Sequence, residues 1–412
     1  MSWAGVTRRE GRVGAAWLRS GASSAVPGEL APVSESDVGL VAVVGRFPPP
    51  IHGQAVATEV LADLLTSEGF RVARINETYR AEDDDRVQVR YRLRSWIRGA
   101  LDLMHFIRRL RAKLRELDPD ILVYASLSAT RSGHVRNLLT YAFAFPRKVK
   151  IVAVVHNGDI SRLRESPLTC ASWDWLIARS RCVVALSPLL AARLRIVGNC
   201  ELVTIPNTLD VVMDGPLHKE RDMPAGLKVL FVGNLIPEKG VNAVLDAVEG
   251  LALRDCDIQL TIAGSSPSAA LHEDVVQRCA ALGSAHAHYI GQVEDRSELR
   301  ALLRASHVLV LPSRYRHEAL PMVIIEAMAC GTPVIASSIG GIPDLVDDGV
   351  TGLLLGRADA GQIESALRHM SDAVTWTAMA QASRPRYEKL FSRDAVGSRW
   401  RDLLQGLGCT SR

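Results

Sequence analysis

Two glutamates, Glu318 and Glu326, are the residues of this sequence whose type and spacing point most directly to chemistry. Glu318 lies in a predicted loop, and Glu326 lies within a short helix predicted from about Pro321 to Cys330. That helix is apolar nearly all round, so we expect it to be buried. An ionised carboxylate inside it costs several kcal/mol, roughly, unless donors or a cleft solvate it. Glu326 therefore needs a partner.

The start of the same helix is predicted to bind an anion. The backbone from Leu320 through Pro321 and Met322 to Val323 forms its N-terminus, where unpaired N–H groups suit a phosphate. A phosphate there and ribose hydroxyls on Glu326 would together hold a nucleotide. The alternative is that Glu326 faces solvent and Glu318 is an ordinary loop residue, and spacing alone does not decide between the two.

Three further candidates lie just after predicted strands. Gly53 follows the first strand in GRFPPPIHGQ, where it would let the backbone approach a ligand, and His156 directly follows KIVAVV. Lys239 in VGNLIPEKG, after the strand closed by Gly233, could neutralise a diphosphate leaving group. Ligands of open α/β sheets bind at the carboxyl ends of strands, which favours a common cleft. The alternatives are a plain connection, a structural histidine and a surface lysine.

The elements that must position these residues alternate between short apolar strands and helices. This pattern predicts an α/β protein with two Rossmann-like, doubly wound parallel sheets facing a central cleft. The predicted organisation is a disordered extension over 1–37, a first domain over 38–212, a linker over 213–226, a second domain over 227–392 and a final helical segment over 393–412.

Composition narrows the class of protein. The 412 residues, 48% of them hydrophobic, suffice for two domains, and no apolar run reaches the length of a membrane span. Seven scattered cysteines without a C-x-x-C indicate a reducing cytoplasm and no zinc site. The acidic run EDDDR from Glu82 reads as solvated, so we expect no metal. The net charge is +8 over residues 1–210 and −4 over the rest.

The segment EALPMVIIEAMACGTPVIAS, with its E-x7-E spacing, resembles the signature of family 4 retaining glycosyltransferases of the GT-B fold. The resemblance runs from about Val38 to the C-terminus. It implies that Glu318 lies by the donor sugar, that Glu326 binds the ribose, and that the amides between them meet the diphosphate. His156 would contact the transferred sugar, and Gly53 would belong to the loop near phosphate and acceptor.

The same resemblance extends to other strand ends and marks one departure. Asn234 stands where the family usually has an arginine beside Lys239, so one cation is missing, with Arg314 and Arg316 as the nearest substitutes. Gly264 and Gly291 would allow close approach to the nucleotide. Further positions match less specific parts of the pattern: Asn207 and Asp210 at the hinge, Gly340 and Gly341 with Asp344 where Glu is common, and Gly352, which we assign to a turn.

These features predict a retaining glycosyltransferase that uses a UDP- or GDP-sugar and a carbohydrate or lipid-linked acceptor, without nucleic acid or metal. The resemblance favours same-face attack, while the sequence itself singles out no carboxylate nucleophile for a double displacement. The alternatives are a GT-B nucleotide-sugar epimerase and a non-catalytic nucleotide-sugar binder. The basic segment 89–117 combines apolar and basic residues, which suits peripheral contact with an anionic membrane at the cytoplasmic face, in cell-envelope or polysaccharide assembly. Equally, its apolar stripe could pack on the sheet.

Overall fold

The computed structural model describes residues 38–49, 53–77, 93–128, 130–156, 158, 166–210 and 226–412, without the side chains of 93–98 and 131. The predicted extension 1–37, the acidic run from Glu82, and nearly all of the predicted linker lie outside this range.

The first sheet has four inner strands that are buried, as the continuous apolar runs of the sequence require, and two edge strands that are partly exposed. It has six parallel strands in the order β2-β1-β3-β4-β5-β6. Their bounds are β1 Leu40–Gly45, β2 Arg71–Asn76, β3 Ile121–Leu127, β4 Lys150–Val155, β5 Cys182–Ala185 and β6 Glu201–Thr204.

Five helices connect these strands in the described chain. They are α1 Gly53–Ser67, α2 Leu93–Leu117, α3 Arg131–Phe143, α4 Pro167–Arg179 and α5 Pro188–Ala191. Hydroxyl side chains of Thr130, Ser166 and Ser187 accept hydrogen bonds from first-turn amides and so start α3, α4 and α5. In α2, Phe106, Ile107, Leu110 and Leu114 pack into the core.

The second sheet repeats the architecture. Six parallel strands lie in the order β12-β11-β10-β7-β8-β9, with bounds β7 Leu227–Val232, β8 Ile258–Ala263, β9 Ala287–Tyr289, β10 Val308–Leu311, β11 Val334–Ser337 and β12 Gly352–Leu355. The flanking helices are α6 Val241–Ala252, α7 Ala269–Leu282, α8 Arg296–Ala305, α9 Met322–Ala329, α10 Ile342–Leu345, α11 Ala360–Met370 and α12 Ala373–Leu390, and α13 Arg393–Gly406 follows them. The predicted pair of facing Rossmann-like sheets is confirmed.

One assignment was wrong. Gly352, which we placed in a turn, is the first residue of β12 and pairs with Val334 of β11. A Cβ on Gly352 would lie 2.0 Å from the Val334 carbonyl oxygen. The glycine is therefore required by the close approach of two strands, and the short sequence GLLL gives too little alternation to reveal a strand.

The chain after α12 returns to the lobe that carries the first sheet. Gly39 N–H donates to the carbonyl of Thr410 at 2.8 Å, and Arg412 N–H donates to that of Gly69 at 3.1 Å. Lys150 Nζ donates to the carbonyl of Leu407 at 2.5 Å. Residues 393–412 thus contribute to the first lobe, although they follow the second in sequence.

Candidate active site

Glu318 lies in the loop between β10 and α9, where it is 7% exposed. Its Oε2 accepts a hydrogen bond from Lys239 Nζ at 2.6 Å and from Ser313 Oγ at 2.8 Å. The Lys239 ammonium also lies 5.5 Å from the centre of the Tyr315 ring. Two candidates chosen separately from the sequence therefore form one ion pair. Ser313 is not recognisable from the sequence, because its role depends on the folding of the loop.

Lys239 is positioned by a short 3-10 turn, Pro237–Lys239, that follows β7. The turn ends at Gly240, which has a φ of 81°. A Cβ there would lie 2.5 Å from the Pro312 carbonyl oxygen, so only glycine lets the turn approach the end of β10 this closely. The backbone packing of two strand ends thereby places the lysine beside the Glu318 loop.

The N-terminus of α9 has the geometry expected for anion binding. Pro321 is its N-cap and supplies no side-chain hydrogen bond, so the backbone at Met322 and Val323 keeps the open donors of a helix start. Leu320 is buried just before the cap. Seven of the eight residues of α9 are buried, which confirms the expected burial of the helix.

Glu326 is buried rather than solvent-facing, with 3% of its surface exposed. Its Oε1 lies 2.5 Å from Arg296 NH2. Burial raises the pKa of the Glu326 carboxyl to about 7, and the nearby Arg296 guanidinium opposes that rise. The expected partner is thus Arg296, which sequence reasoning missed. No local sequence pattern marks Arg296 as this partner, because it lies on α8, thirty residues before Glu326.

The remaining candidates of the second lobe lie at the ends of β7 and β8. A Cβ on Gly264 would lie 1.9 Å from the Gly233 carbonyl oxygen, so Gly264 is needed for the approach of these two strand ends. The space beside Gly233 is open. Asn234 is exposed at the same edge. Asn234 therefore lies at the strand end where the family usually has an arginine, and Arg314 and Arg316 are exposed at the same edge.

His156 directly follows β4 in the first lobe. Burial lowers its pKa to about 4, so the imidazole is neutral at neutral pH. Its Nε2 is buried without a hydrogen-bond partner among the described residues. Two residues on, Gly158 N–H donates to the His317 carbonyl at 3.3 Å. A Cβ on Gly158 would lie 1.8 Å from the Glu318 carbonyl oxygen, so the two lobes touch here.

A cavity of about 440 Å³ lies at this junction. His156 lines it from the first lobe, and Tyr315 and His317 line it from the Glu318 loop. Gln54, the second residue of α1, also lines it, while beside Gly53 there is open space. The cavity thus brings the histidine candidate next to the loop that carries Glu318.

Other hydrogen bonds also join the two lobes. The Asp344 carboxylate accepts a hydrogen bond from the Leu189 N–H of α5 at 2.8 Å, across the cleft. Asn207 Nδ2 donates to the Leu320 carbonyl at 3.3 Å. Asp344 and Asn207 are recognisable in the sequence, but these partners are not, because they lie 155 and 113 residues away along the chain.

No group of three or more His, Cys, Asp or Glu side chains suited to a metal ion is present among the residues described above. Within the same part of the chain, no helix is long and apolar enough to cross a bilayer.

Two facing Rossmann-like lobes, with a lysine–carboxylate pair and an open helix N-terminus at the cleft, define the GT-B class of glycosyltransferase. The sequence matches the family model Glycosyltransferase Family 4 over residues 51–212 and the model Glycosyl transferases group 1 over residues 226–372. The chain belongs to this family of glycosyltransferases, as the sequence resemblance indicated.

Individual relatives agree with this assignment. The chain is 29% identical over 229 residues to a glycogen synthase of Mycobacterium tuberculosis, covering 55% of this chain and 54% of that protein. It is 30% identical over 177 residues to a GDP-mannose-dependent monoacylated phosphatidylinositol monomannoside mannosyltransferase of Corynebacterium glutamicum, covering 42% of this chain and 45% of that protein. The matched stretch thus spans about half the length of these relatives.

Solved structures share the fold. Sucrose-phosphate synthase from Thermosynechococcus elongatus superposes with a TM-score of 0.68 at 20% identity, covering 90% of this chain and 99% of that chain. HepE of Anabaena, solved in complex with UDP-glucose, gives a TM-score of 0.65 at 17% identity, covering 89% of this chain and 99% of that chain.

Proposed function

We propose that this protein transfers a sugar from a nucleotide diphosphate sugar to an acceptor, with retention at the anomeric carbon. The observation that carries the proposal is the meeting of His156 with the Glu318 loop on one cavity, because it brings residues of both lobes to one place. The nucleotide would lie on the second lobe and the acceptor on the first.

The second lobe offers complementary groups for each part of a nucleotide diphosphate. The open amides at Met322 and Val323 suit the diphosphate, and the Lys239 ammonium can offset the charge that develops on the leaving group. The pKa of Glu326 is raised to about 7, so its carboxyl group can accept hydrogen bonds from ribose hydroxyls when ionised and can also donate one when protonated. Arg296 would hold its carboxyl group in place.

The first lobe would orient the acceptor and the transferred sugar. Neutral His156 can hydrogen-bond a sugar hydroxyl through Nε2 without adding a positive charge beside the anomeric centre. No acidic side chain is among those that line the cavity within the described chain. Glu318 is engaged by Lys239 and Ser313. Both observations support same-face attack over displacement through a carboxylate nucleophile.

The donor is proposed to be a UDP- or GDP-sugar. The two nucleotides occur among the similar proteins: the mannosyltransferase is named as GDP-mannose-dependent, and HepE was solved with UDP-glucose. We further propose that the acceptor belongs to cell-envelope or polysaccharide assembly. The exposed face of α2 would then rest on an anionic membrane.

The test is incubation with labelled UDP- and GDP-sugars, with and without a lipid extract and oligosaccharides. Transfer requires acceptor-dependent label in the product, with the anomeric configuration of the donor retained. An altered sugar on an intact nucleotide would instead identify an epimerase, and an unchanged donor a binding protein. Glu326→Ala is expected to abolish donor binding, whereas Asp84→Ala, in the acidic run, is expected to leave it intact. Equal, small effects of both would contradict the proposed site.

A further inference from the structure

The cavity between His156 and the start of α3 differs chemically at its two ends. His156 and His317 mark the end next to the Glu318 loop, where sugar transfer is proposed. Arg46 and Arg136 line the cavity elsewhere, together with hydroxyl side chains. No carboxylate lines this cavity within the described chain, so an anionic ligand would meet no like charge from that lining. The lining is rich in donors and cations.

The N-terminus of α3 adds to this donor set. The Thr130 side chain accepts a hydrogen bond from Gly133 N–H at 3.2 Å, which leaves the amides of Arg131 and Ser132 as the open donors of a helix of 13 residues. The positive end of the helix dipole points the same way as these amides.

A second observation is independent of the helix. Ser126, at the end of β3, lines the cavity while being only 1% exposed. Its hydroxyl has no hydrogen-bond partner in the described chain. A buried hydroxyl without a partner is unfavourable, so this one marks a place where a ligand atom would satisfy it.

The Arg136 side chain is fixed in this lining by buried neighbours. Its NH2 donates to the Ser126 carbonyl at 2.8 Å, and its Nε lies 3.3 Å from Glu77 Oε1. The Tyr124 hydroxyl is 2.8 Å from the same Glu77 oxygen. Glu77 offsets the charge of Arg136, whereas no carboxylate of the described residues pairs with Arg46. The net positive charge of the lining therefore comes from Arg46, which is exposed at the cavity.

We propose that the acceptor carries a phosphate group, and that this group binds between Arg46, the Ser126 hydroxyl and the first amides of α3, while the attacking hydroxyl lies near His156. The inference rests on the proposed function, because it names the acceptor class of that same site. The cavity of about 440 Å³ is within the usual size range of small-ligand sites.

Gly133 provides a sharp test of this location. A Cβ there would lie 2.3 Å from Ser128 Oγ and 2.7 Å from Thr130 Oγ1, so Gly133→Ala must displace both hydroxyls at the helix start. Arg46→Gln removes the charge, and Ser126→Ala removes the buried hydroxyl. Arg147→Gln is the matched control, because it removes an exposed arginine of the same lobe that does not line the cavity.

The first measurement uses inorganic phosphate as the probe and thermal stability as the readout, with UDP or GDP saturating so that the donor site is filled. Phosphate is expected to raise the Tm of the wild type and of Arg147→Gln. The shift is expected to disappear in Arg46→Gln and Gly133→Ala and to shrink in Ser126→Ala. An equal shift in all variants, or none in the wild type, would overturn the proposal.

The nucleotide itself separates this inference from the proposed function. UDP or GDP should stabilise every variant equally, which also shows that each is folded. If neither UDP nor GDP stabilises the wild type, the proposed donor site is contradicted. If a nucleotide stabilises the wild type but phosphate has no further effect, only the acceptor proposal is contradicted. Competition then identifies the source of the phosphate: a hexose 6-phosphate displaces the probe if the acceptor is a soluble sugar phosphate, and short-chain phosphatidylglycerol does so if it is a lipid headgroup.

The second measurement uses turnover with matched acceptors, a hexose and its 6-phosphate. The phosphorylated acceptor is expected to have at least about tenfold higher kcat/KM, since charge-assisted hydrogen bonds are the stronger ones. Arg46→Gln should remove most of that preference through KM, whereas the control Arg147→Gln should retain it. Equal use of both acceptors by the wild type would contradict the proposal.

Discussion

Lys239 and Glu318 share one ion pair, so substitution of either residue changes the environment of the other. Removing the lysine leaves a buried carboxylate with Ser313 as its remaining hydrogen-bond donor among the described residues, and this costs stability as well as function. The two effects must therefore be separated by measuring both.

We expect Lys239→Met to lower kcat by about 100-fold, because one preformed cation at a developing charge is worth about this much. Lys228→Met is the control, since Lys228 is exposed on β7 in the same lobe. Steady-state kinetics and denaturation of Lys239→Met, Glu318→Gln and the double variant form a cycle. Additive effects on kcat would show that the two residues do not act as a unit.

His156 predicts a pH dependence with a definite sign. Its pKa is lowered by burial from 6.5 to about 4, so the unfolded chain binds a proton in this interval and the folded chain does not. Its contribution to stability is therefore complete above pH 6.5 and is lost as the pH falls toward 4. His156→Gln should reduce the loss of unfolding free energy between these limits.

Denaturant titrations above pH 6.5 and within the interval measure this effect in both proteins. Burial also lowers the pKa of His134, which is present in both proteins. His156→Gln should therefore keep the part of the pH dependence that comes from His134 and lose only the part that comes from His156. An unchanged pH dependence in His156→Gln would contradict the burial of a neutral imidazole.

At the scale of elements, the structure confirms that the apolar stripe of the amphipathic helix α2 packs into the core, while contact of this helix with a membrane stays a proposal. Its apolar stripe packs into the core through residues such as Phe106 and Leu110. The opposite face exposes Leu101 and Met104, each 49% exposed, at helical spacing with Arg108, Arg111 and Arg115. This exposed face combines apolar side chains with positive charge.

We expect Arg108→Gln combined with Arg111→Gln to lower binding to anionic vesicles by about 30-fold, since each arginine near a membrane contributes about 1 kcal/mol. Arg109→Gln combined with Lys113→Gln is the matched control, because it removes the same charge from residues that line a groove beside β2. Cosedimentation with vesicles measures both pairs. Equal effects would exclude this face of α2 as the contact.

The strands and the buried helix α9 were predictable because continuous apolar runs can only be buried. The partner of Glu326 was not, because Arg296 lies thirty residues earlier and meets it only when α8 packs on α9. The same holds for Ser126 and Arg136, whose roles depend on the cavity formed by β3 and α3. Sequence patterns indicated which residues matter in one element, and tertiary contacts decided their neighbours.

At the scale of the whole molecule, Asp344 ties the lobes together. Its carboxylate is 2% exposed and accepts the Leu189 amide at the start of α5, where a negative group is favoured. We expect Asp344→Ala to destabilise the closed arrangement of the lobes by about 1–2 kcal/mol, because it removes this hydrogen bond. The closed arrangement should become less populated, which raises hydrolysis of the donor relative to transfer.

Product analysis of labelled donor gives the ratio of hydrolysis to transfer. Asp246→Ala is the control, because Asp246 forms an exposed ion pair with Arg278 inside the second lobe. A ratio that is unchanged in Asp344→Ala, or raised equally in both variants, would show that the Asp344–Leu189 contact does not govern closure.

The connections between the lobes also constrain how they can move. The chain passes from the first lobe to the second after Asp210 and returns between α12 and α13, and these two passages lie side by side. Thr208 Oγ1 donates to the Phe391 carbonyl at 2.8 Å, and Arg393 NH1 donates to that of Asp210 at 3.1 Å. Because the two connections are adjacent, we expect the lobes to open by rotation about one axis that passes through them. A small rotation about this axis moves the opposite side of the cleft by a much larger distance.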